Sequence, residues 1–347
     1  MHNKKFLKAG VLTLVLLLAF IAAWEWYWRS QGFPVAYNDD NALWAKKRSE
    51  VYEPSASSTV FIGASRIKFD LDIPMWESIT GEKAIQLAMV GTSPRPLLQD
   101  LADDEKFKGK VIIDVIESLF FMRNRGRSEK SAREGINYYK KQTPSQRASG
   151  VIDRRLESAF VFLEENAFGL NSLLNDIQVP NRKGVFSFPR FPKEFEMMTR
   201  DRQAFMTEKF LNDTALQNWQ TRNWTILGAL DKTPPIKGDS LIAIFKELKT
   251  AIDKIRARGG KVMFVRPPSS GGYLETENLV YPRQAYWDAM LAYTQTGGIH
   301  FTDYPETSNF ICPEWSHLSS PDVLIYTKEL IKELNQKGWF SKPITVN

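Results

Sequence analysis

The chain has 347 residues, of which 43% are hydrophobic and 12% aromatic, and its formal net charge is +6. This composition excludes an intrinsically disordered protein and allows one large core or two smaller ones. The single cysteine, Cys312, excludes an intramolecular disulfide framework and a cysteine-rich metal site. The chain has three histidines, so an imidazole base must be His2, His300 or His317.

The N-terminal region predicts a membrane anchor in residues 1–29. Three lysines come first, residues 9–24 carry no charge, and an aromatic cluster closes the run. This length approaches the ~20 residues that cross a bilayer, and the leading lysines favour a cytoplasmic N-terminus with the remainder outside, periplasmic or extracellular. The alternative is a cleaved signal peptide, but large residues, Phe20 and Ile21, stand where a cleavage site needs small ones. The lysines are Lys4, Lys5 and Lys8, and the aromatic residues are Trp24, Trp26, Tyr27 and Trp28.

Five short apolar or β-branched runs follow a polar linker, residues 30–57, which has short helical potential. Such continuous runs are typical of strands that are covered on both faces. Helical spacing of apolar residues at 240–260, ended by two glycines, and again after residue 320 indicates helices that connect and follow the strands. Strand, helix, strand predicts a parallel sheet with right-handed crossovers. The five runs are 59–65, 84–90, 110–116, 261–267 and 299–304.

The stretch between the third and fourth runs, about residues 118–240, is too long for one crossover and is predicted to be a large, mainly helical insertion. Residues 144–178 have a helical pattern, whereas 179–195 are rich in proline and phenylalanine and are expected to be irregular. Residues 120–155 carry ten basic and three acidic side chains. This segment is either a solvated helical face or a surface that attracts anionic lipid headgroups or an acidic polymer.

Two motifs predict chemistry at the carboxyl edge of the sheet, where open α/β sheets bind ligands. Gly63-Ala64-Ser65-Arg66 follows the first strand directly, and Glu314 precedes His317 by three residues before the final helix. A carboxylate at this spacing can accept the imidazole Nδ1 proton and leave Nε2 to deprotonate a hydroxyl, which Ser65 would supply. The alternatives are that Ser65 is an ordinary turn residue and that Asp303, rather than Glu314, orients the base.

The sequence Gly63-Ala64-Ser65, Gly91 in QLAMVGTSP and Glu314-x-x-His317 resemble the first, second and fifth blocks of the SGNH (GDSL-type) hydrolase superfamily. They resemble in particular its membrane-anchored, exported members associated with O-acetylation of cell-surface and secreted polysaccharides. This resemblance implies a flavodoxin-like, three-layer α/β domain at 58–340 with a parallel sheet of about five strands. It also implies Ser65 as nucleophile, His317 as base, Glu314 as orienting acid, and the amides of Ser65 and Gly91 as oxyanion donors.

The chain departs from the family pattern at the third block, where VIIDVIESLFF offers no asparagine. Losing one oxyanion donor costs on the order of 10²–10³ in rate, so another group would have to replace it. Arg66 is a candidate, and its alternative role is a salt bridge to Asp70 or Asp72. Arg266, which precedes two prolines and a glycine-rich turn, is a candidate for binding a substrate carboxylate or else a structural ion pair.

These patterns predict an exported, membrane-anchored O-acetyltransferase or O-acetylesterase for a cell-surface or secreted polysaccharide. The expected partners are a carbohydrate polymer and a membrane-bound acyltransferase as acyl donor, and an exported location argues against nucleic acid. The sequence contains no metal-ligand cluster and no phosphate-binding glycine loop, so neither a metal nor a cofactor is expected. The alternative is a catalytically silent SGNH-like scaffold that binds polysaccharide or a membrane acyltransferase.

Overall fold

The computed structural model describes residues 2–52, 57–122, 126, 128–177, 184, 189–231 and 233–345. The described strands are β1 Ser58–Ile62, β2 Lys83–Gln86, β3 Lys110–Asp114, β4 Met197–Met198, β5 Ala204–Phe205, β6 Lys261–Arg266 and β7 Gly298–His300. The first helices are α1 His2–Ser30, α2 Asn41–Ser49, α3 Ser65–Phe69, α4 Ile73–Thr80, α5 Arg95–Asp103 and α6 Glu117–Phe120. The central helices are α7 Lys130–Lys141, α8 Pro144–Glu157, α9 Glu165–Phe168, α10 Leu170–Asp176, α11 Glu208–Asn212 and α12 Thr214–Leu230. The last are α13 Asp239–Ala257, α14 Gly271–Val280, α15 Ala289–Thr294, α16 Pro305–Ser308 and α17 Ser320–Gln336.

Five strands form one parallel sheet in the order β2-β1-β3-β6-β7. The register places Val60 of β1 between Ile85 of β2 and Val111 of β3. All five residues of β1 and of β3 are buried, as expected for strands covered on both faces. The predicted parallel sheet of five strands within an α/β fold is therefore confirmed.

The strands end earlier than the apolar runs in the sequence. The first run continues to residue 65, but the sheet ends at Ile62 because Gly63 and Ala64 turn the chain into α3. The last run continues to residue 304, but β7 ends at His300 and a 3₁₀ turn, Phe301–Asp303, follows. Apolar composition marks the buried segment, whereas the sheet ends where the backbone pairing stops.

Two hydrophobic clusters cover the opposite faces of the sheet. One cluster joins Trp44 of α2 to α5 and to the buried face of α13, and the other joins Trp76 of α4 to the buried face of α17. Helix α13 begins at Asp239, and its buried residues have the three-to-four spacing that the sequence predicts. Helix α17 begins after Ser319, whose hydroxyl accepts the backbone N–H of Asp322. The result is a helix–sheet–helix arrangement of three layers.

The segment between β3 and β6 contains eight described helices, α6 to α13, and the antiparallel hairpin of β4 and β5. The helical prediction for 144–178 is realised in α8, α9 and α10 and the 3₁₀ turn Val161–Leu163. Most of the Pro- and Phe-rich segment, 179–183 and 185–188, lies outside the described residues, as do Arg123, Arg125 and Arg127 of the basic segment. The sequence pattern gave no sign of the hairpin.

Helix α1 is long and apolar enough to cross a membrane. Its apolar side chains between Phe6 and Phe20 are largely exposed, so no other described part of the protein covers them. The last two turns differ, because they contact the 3₁₀ turn Val161–Leu163. Helix α1 is thus exposed along most of its length and packed against the rest of the described protein at its end.

Candidate active site

Ser65 is the first residue of α3 and is held there by a tight turn. A Cβ atom on Gly63 would lie 2.4 Å from Cβ of Asp114, so the turn after β1 requires glycine at this position. The backbone N–H of Ala64 donates to Oδ2 of Asp114 at 3.1 Å. Ser65 itself is partly exposed, while the residues on either side of it are buried. The neighbouring strand therefore fixes the turn that presents the Ser65 hydroxyl.

Glu314 and His317 form a buried pair. The imidazole Nδ1 lies 2.9 Å from Oε1 of Glu314, and the same oxygen accepts the backbone N–H of His317 at 2.7 Å. Oε2 of Glu314 accepts the indole N–H of Trp224. The side chains of His317 and Glu314 are 1% and 0% exposed. A carboxylate at Nδ1 places the proton on that nitrogen and leaves Nε2 with a lone pair, and Nε2 has no hydrogen-bond partner among the described residues.

Three consecutive residues around His317 contact α3. Nε of Arg66 donates to the carbonyl of Ser316 at 3.2 Å, and the N–H of Leu318 donates to Oδ1 of Asp70 at 2.9 Å. The ring of Phe69 lies 4.3 Å from the imidazole ring. Ser65 precedes Phe69 by one helical turn and lies on the same side of α3. The fold therefore brings Ser65 and the Glu314–His317 pair to the same short helix, without a direct hydrogen bond between Nε2 and Ser65.

Aromatic rings surround the imidazole. Besides Phe69, the rings of Phe195 and Trp224 lie 5.8 and 6.3 Å from that of His317. Both residues belong to the insertion, Trp224 on α12 and Phe195 just before β4. They shield the histidine–carboxylate pair from water, which strengthens the interaction between the two groups. Sequence reasoning missed both residues, because nothing in a 120-residue insertion indicates which aromatic side chain reaches the site.

Two buried carboxylates brace the two loops of the site. Asp114 accepts the N–H of Ala64 in the serine turn, and Asp70 accepts the N–H of Leu318 in the histidine loop. Burial raises the pKa of Asp114 to about 6 and raises the pKa of Asp70 well above its ordinary value. One oxygen of each, and the hydroxyl of Tyr326 nearby, have no partner in the described part of the chain. In the sequence, Asp114 stands out as a charged residue at the end of the apolar run KVIID, and this was the signal that could have pointed to it.

Arg66 is fully buried and pairs with neither Asp70 nor Asp72. Its Nη2 lies 2.7 Å from Oε1 of Glu277, and its guanidinium stacks on the ring of Tyr273 at 5.2 Å. Nη1 has no partner among the described residues. The salt bridge to Asp70 or Asp72, considered as the alternative role of Arg66, is therefore not formed, and Glu277 of α14 is the partner instead.

Arg266 is also buried, and its nitrogens are engaged by the protein. Nη2 lies 2.5 Å from Oε2 of Glu277, Nε lies 3.2 Å from Oε1 of Glu117, and Nη1 donates to Ser269 and to the carbonyl of Pro267. Its side chain is 2% exposed. This geometry is that of the structural ion pair rather than of a group that awaits a substrate carboxylate.

The glycine-rich turn after Arg266 packs on the histidine loop. A Cβ atom on Gly271 would lie 2.6 Å from the indole of Trp315, and Gly271 has φ of +55°. The N–H of Ser270 donates to the carbonyl of Trp315 at 2.8 Å. Glycine at position 271 therefore allows the close approach of Trp315, which lies two residues before His317.

Gly91 lies in the loop that follows β2. The loop runs beside the serine turn, because the N–H of Met89 donates to the carbonyl of Gly63 at 3.1 Å. Gly91 is exposed and has φ of +62°, a conformation that favours glycine. The structure places Gly91 two residues beyond the point of contact with the serine turn.

The rival acid and the second histidine lie elsewhere. Asp303 pairs with Arg283, with Oδ1 and Oδ2 at 2.5 and 2.9 Å from the guanidinium, and it is exposed. His300 packs against Trp287 and Phe301, and burial lowers its pKa to about 2. Glu314, and not Asp303, contacts His317. Among the described residues, no group of three or more histidine, cysteine, aspartate or glutamate side chains is arranged to hold a metal ion.

No protein-family model matches the chain, and no curated protein matches it. The site must therefore be interpreted from its geometry. A partly exposed hydroxyl, a buried imidazole with a free Nε2 and a carboxylate on Nδ1 are the groups that nucleophilic acyl transfer uses.

Proposed function

We propose that the protein is an exported, membrane-anchored acyl-transfer enzyme of the SGNH type, an O-acetyltransferase or O-acetylesterase that acts on a cell-surface or secreted polysaccharide. The observation that carries the proposal is the buried Glu314–His317 pair, packed against the helix that begins at Ser65, with Nε2 of the imidazole unpaired. The strand order supports it, because the five parallel strands without the hairpin follow the flavodoxin-like order 2-1-3-4-5.

In the proposed reaction, Nε2 of His317 takes the proton of the Ser65 hydroxyl as Oγ attacks the acyl carbonyl. The bond from Oγ to the carbonyl carbon forms, the ester bond to the leaving alkoxide breaks, and His317 gives the proton to that alkoxide. A sugar hydroxyl or water then attacks the acyl-enzyme by the same steps in reverse, which releases Ser65. Glu314 holds the imidazole in one tautomer and stabilises its cationic form throughout. The structure has no hydrogen bond between Ser65 and His317, and we expect this bond to form only when substrate binds.

The proposed oxyanion donors are the backbone N–H groups of Ser65 and Gly91 together with Arg66. Support for Arg66 is its position directly after the nucleophile and the unpaired Nη1 of its buried guanidinium. Its other nitrogens are fixed by Glu277 and Ser316, so Nη1 is preorganised and does not have to be reoriented during the reaction. Asp114, which ends β3 where the family has its third block, accepts a hydrogen bond and does not donate one.

The position of the site relative to the anchor supports a substrate that is held at the membrane. Met197 and Phe205 of the hairpin pack in the cluster that contains Trp28 at the end of α1. The adjacent residues Met198 and Ala204 pack in the cluster that contains Phe69 beside His317. One hairpin thus separates the anchor from the site, which suits an acyl donor delivered by a membrane-bound acyltransferase and a polysaccharide acceptor at the cell surface.

A fluorophosphonate probe tests the nucleophile directly. The wild-type protein is expected to be labelled covalently, and Ser65→Ala and His317→Ala are expected to lose the label while keeping their folded circular-dichroism spectra. Ser145→Ala, which changes an exposed serine on α8, is the matched control and should be labelled like the wild type. Labelling that persists in Ser65→Ala would refute the assignment of the nucleophile.

A catalytically silent scaffold is the second candidate, and the missing donor at the end of β3 favours it. For this candidate, folded wild-type protein would give no label at any probe concentration and would still bind the polysaccharide. If labelling occurs, acetyl release from a chromogenic ester, measured with and without an oligosaccharide acceptor, separates the two enzymatic activities. Transfer to the oligosaccharide at the expense of free acetate indicates a transferase, and unchanged acetate release indicates an esterase.

A further inference from the structure

Helix α8 carries its apolar side chains on the outside of the protein. Val151, Ile152 and Leu156 are 64%, 58% and 44% exposed, whereas the charged residue Glu157 is 3% exposed. At 100° per residue the three apolar side chains share one side of the helix, and Glu157 lies on the other. A helix on the surface of a soluble domain shows the opposite arrangement, with apolar residues facing the core.

The side of α8 that faces the domain is polar. Glu157 accepts a hydrogen bond from the side chain of Asn38, and Arg154 pairs with Asp40. Gly150 lies close to Ala42 of α2, since a Cβ atom on it would be 3.3 Å away. These contacts fix the rotation of α8, so its apolar side cannot turn inward without breaking them.

Helix α10 also exposes apolar residues. Leu170 and Leu174 are 72% and 53% exposed, and Ile177, directly after the helix, is 58% exposed. We call the exposed apolar residues of the two helices the outer apolar face. It comprises Val151, Ile152 and Leu156 of α8 with Leu170, Leu173 and Leu174 of α10 and Ile177.

Both helices are joined to the end of α1. Just after α8, Arg29 donates to the carbonyl of Ala159, and Glu25 accepts the backbone N–H of Val161 at 2.9 Å. Just before α10, the ring of Phe168 lies 4.7 Å from that of Trp28. The chain segments next to both parts of the outer apolar face are therefore attached to the turns of α1 that carry its tryptophans, residues that mark the boundary between bilayer and water.

The charge around this face fits a lipid surface. Arg147 is exposed on α8, and Lys141 is exposed at the end of α7 just before it. Arg155 is exposed on the apolar side of α8 itself, where its long side chain can reach the headgroups. Cations beside an apolar face are the pattern of helices that lie in the interface and contact anionic headgroups. A second copy of the chain would bring the same cations against each other, which disfavours a symmetric dimer through this face.

We infer that α8 and α10 lie in the headgroup region of the membrane that α1 crosses, with the outer apolar face in contact with the acyl chains. Such helices are buried roughly 5–10 Å into the boundary between headgroups and chains. Three attachments, α1, α8 and α10, would then fix the orientation of the domain relative to the bilayer. With α1 alone, this orientation could vary. This inference needs α1 to span the membrane and does not depend on acyl transfer.

A fluorescent reporter on the outer apolar face tests the inference with the full chain. Ile152→Cys and Leu174→Cys are labelled with an environment-sensitive nitrobenzoxadiazole dye and reconstituted into vesicles of phosphatidylcholine and phosphatidylglycerol. Cys312 is buried, so wild-type protein is expected to remain unlabelled. The matched control is Ile325→Cys on α17, where Ile325 is 49% exposed. Helix α17 packs on the face of the sheet opposite to the face that α2 covers.

In vesicles, dyes at positions 152 and 174 should emit at shorter wavelength than the same dye in buffer. Lipids with brominated acyl chains should quench these dyes about twofold or more. The dye at position 325 should show neither effect. Dyes that stay unquenched at 152 and 174 in vesicles that carry the protein would overturn the inference. Disulfide-linked dimers of Ile152→Cys would assign the face to a second copy, and protein that does not float with the vesicles would refute the membrane-spanning role of α1.

Discussion

The side chain of Glu314 accepts four hydrogen bonds, and these explain the orientation of the histidine. Oε1 accepts the imidazole Nδ1–H and two backbone N–H groups of its own loop, while Oε2 accepts the indole N–H of Trp224. A carboxylate with this many donors cannot rotate away from His317 without losing several hydrogen bonds. Trp224 is therefore a positioning residue that acts through Glu314.

Trp224→Phe should slow the reaction of Ser65 with fluorophosphonate by about 10- to 100-fold, because a hydrogen bond to a charged group contributes about 1.5–3 kcal/mol. The phenyl ring preserves packing against Phe195 and His317, so the variant should stay folded and its melting temperature should fall only by the cost of the lost hydrogen bond. The matched control is Trp219→Phe on the same helix, where the tryptophan is 42% exposed. If Trp224→Phe reacts at the wild-type rate, Glu314 does not need the indole.

Asp114 links the stability of the serine turn to pH. Burial raises its pKa from 3.8 to about 6 in the folded protein, so the folded state binds this proton more tightly than the unfolded state. The contribution is therefore fully present below about pH 4 and is lost as pH rises through about 6. Above that pH the protein must keep a buried carboxylate ionised.

Asp114→Asn removes this cost while its side-chain oxygen can still accept the N–H of Ala64. Relative to the wild type, the variant should gain about 1–3 kcal/mol in the free energy of unfolding between pH 4 and pH 7. Urea titrations at several pH values measure this difference. A difference that is constant or that falls with rising pH would contradict the raised pKa.

At the scale of elements, a buried charge network ties the strand ends and α14 together beneath the site. Arg66 follows β1, Arg266 ends β6, Glu117 begins α6 after β3, and Glu277 on α14 joins the two arginines. Two positive and two negative groups compensate one another in an environment where an isolated charge is costly. The network thereby fixes Arg66 beside Ser65 and secures the turn that follows Arg266.

Glu277→Gln should reduce the free energy of unfolding by about 3–5 kcal/mol, because it leaves two buried guanidinium groups with one carboxylate. Glu275→Gln, two residues earlier on the exposed side of α14, is the matched control and should be nearly neutral. Denaturant unfolding monitored by tryptophan fluorescence gives both values. Equal stability of the two variants would show that Glu277 does not organise the network.

Another ion cluster fixes the hairpin beside α3. Asp39 accepts hydrogen bonds from Arg202, in the turn between β4 and β5, and from Lys68 on α3. Burial alone would raise the pKa of Asp39, but the charges of Arg202 and Lys68 lower it below its ordinary value. The polar linker thus fastens the insertion to the helix that carries Ser65.

For the whole molecule, the features predictable from sequence were those encoded in short, continuous patterns. Five apolar runs gave the parallel sheet, and the spacing of apolar residues gave α13 and α17. The Glu314–His317 contact was also predictable, since three residues in one loop suffice to form it. These features depend on local periodicity and spacing.

The remaining features depend on contacts between distant parts of the chain. Arg66 pairs with Glu277, and Trp224 donates to Glu314. In both pairs the residues are so far apart in the chain that no periodic pattern in the sequence indicates the contact. The strands of the hairpin have two residues each, which is too short for alternation to be detected. Helix α8 exposes its apolar side, and this can be recognised only when the structure shows which side packs against α2.

The distribution of charge at the two ends of α1 predicts how the whole molecule is oriented. Three lysines precede the apolar segment, whereas Glu25 and Arg29 at the other end pair with each other. Positive residues are retained on the cytoplasmic side, so the domain that follows α1 should lie outside the cytoplasm. In right-side-out membrane vesicles, a membrane-impermeant maleimide should label Ile325→Cys at once and Lys5→Cys only after the vesicles are permeabilised. Wild-type protein, whose Cys312 is buried, supplies the background. Immediate labelling of Lys5→Cys with protection of Ile325→Cys would place the domain in the cytoplasm and would remove the cell-surface polysaccharide from its reach.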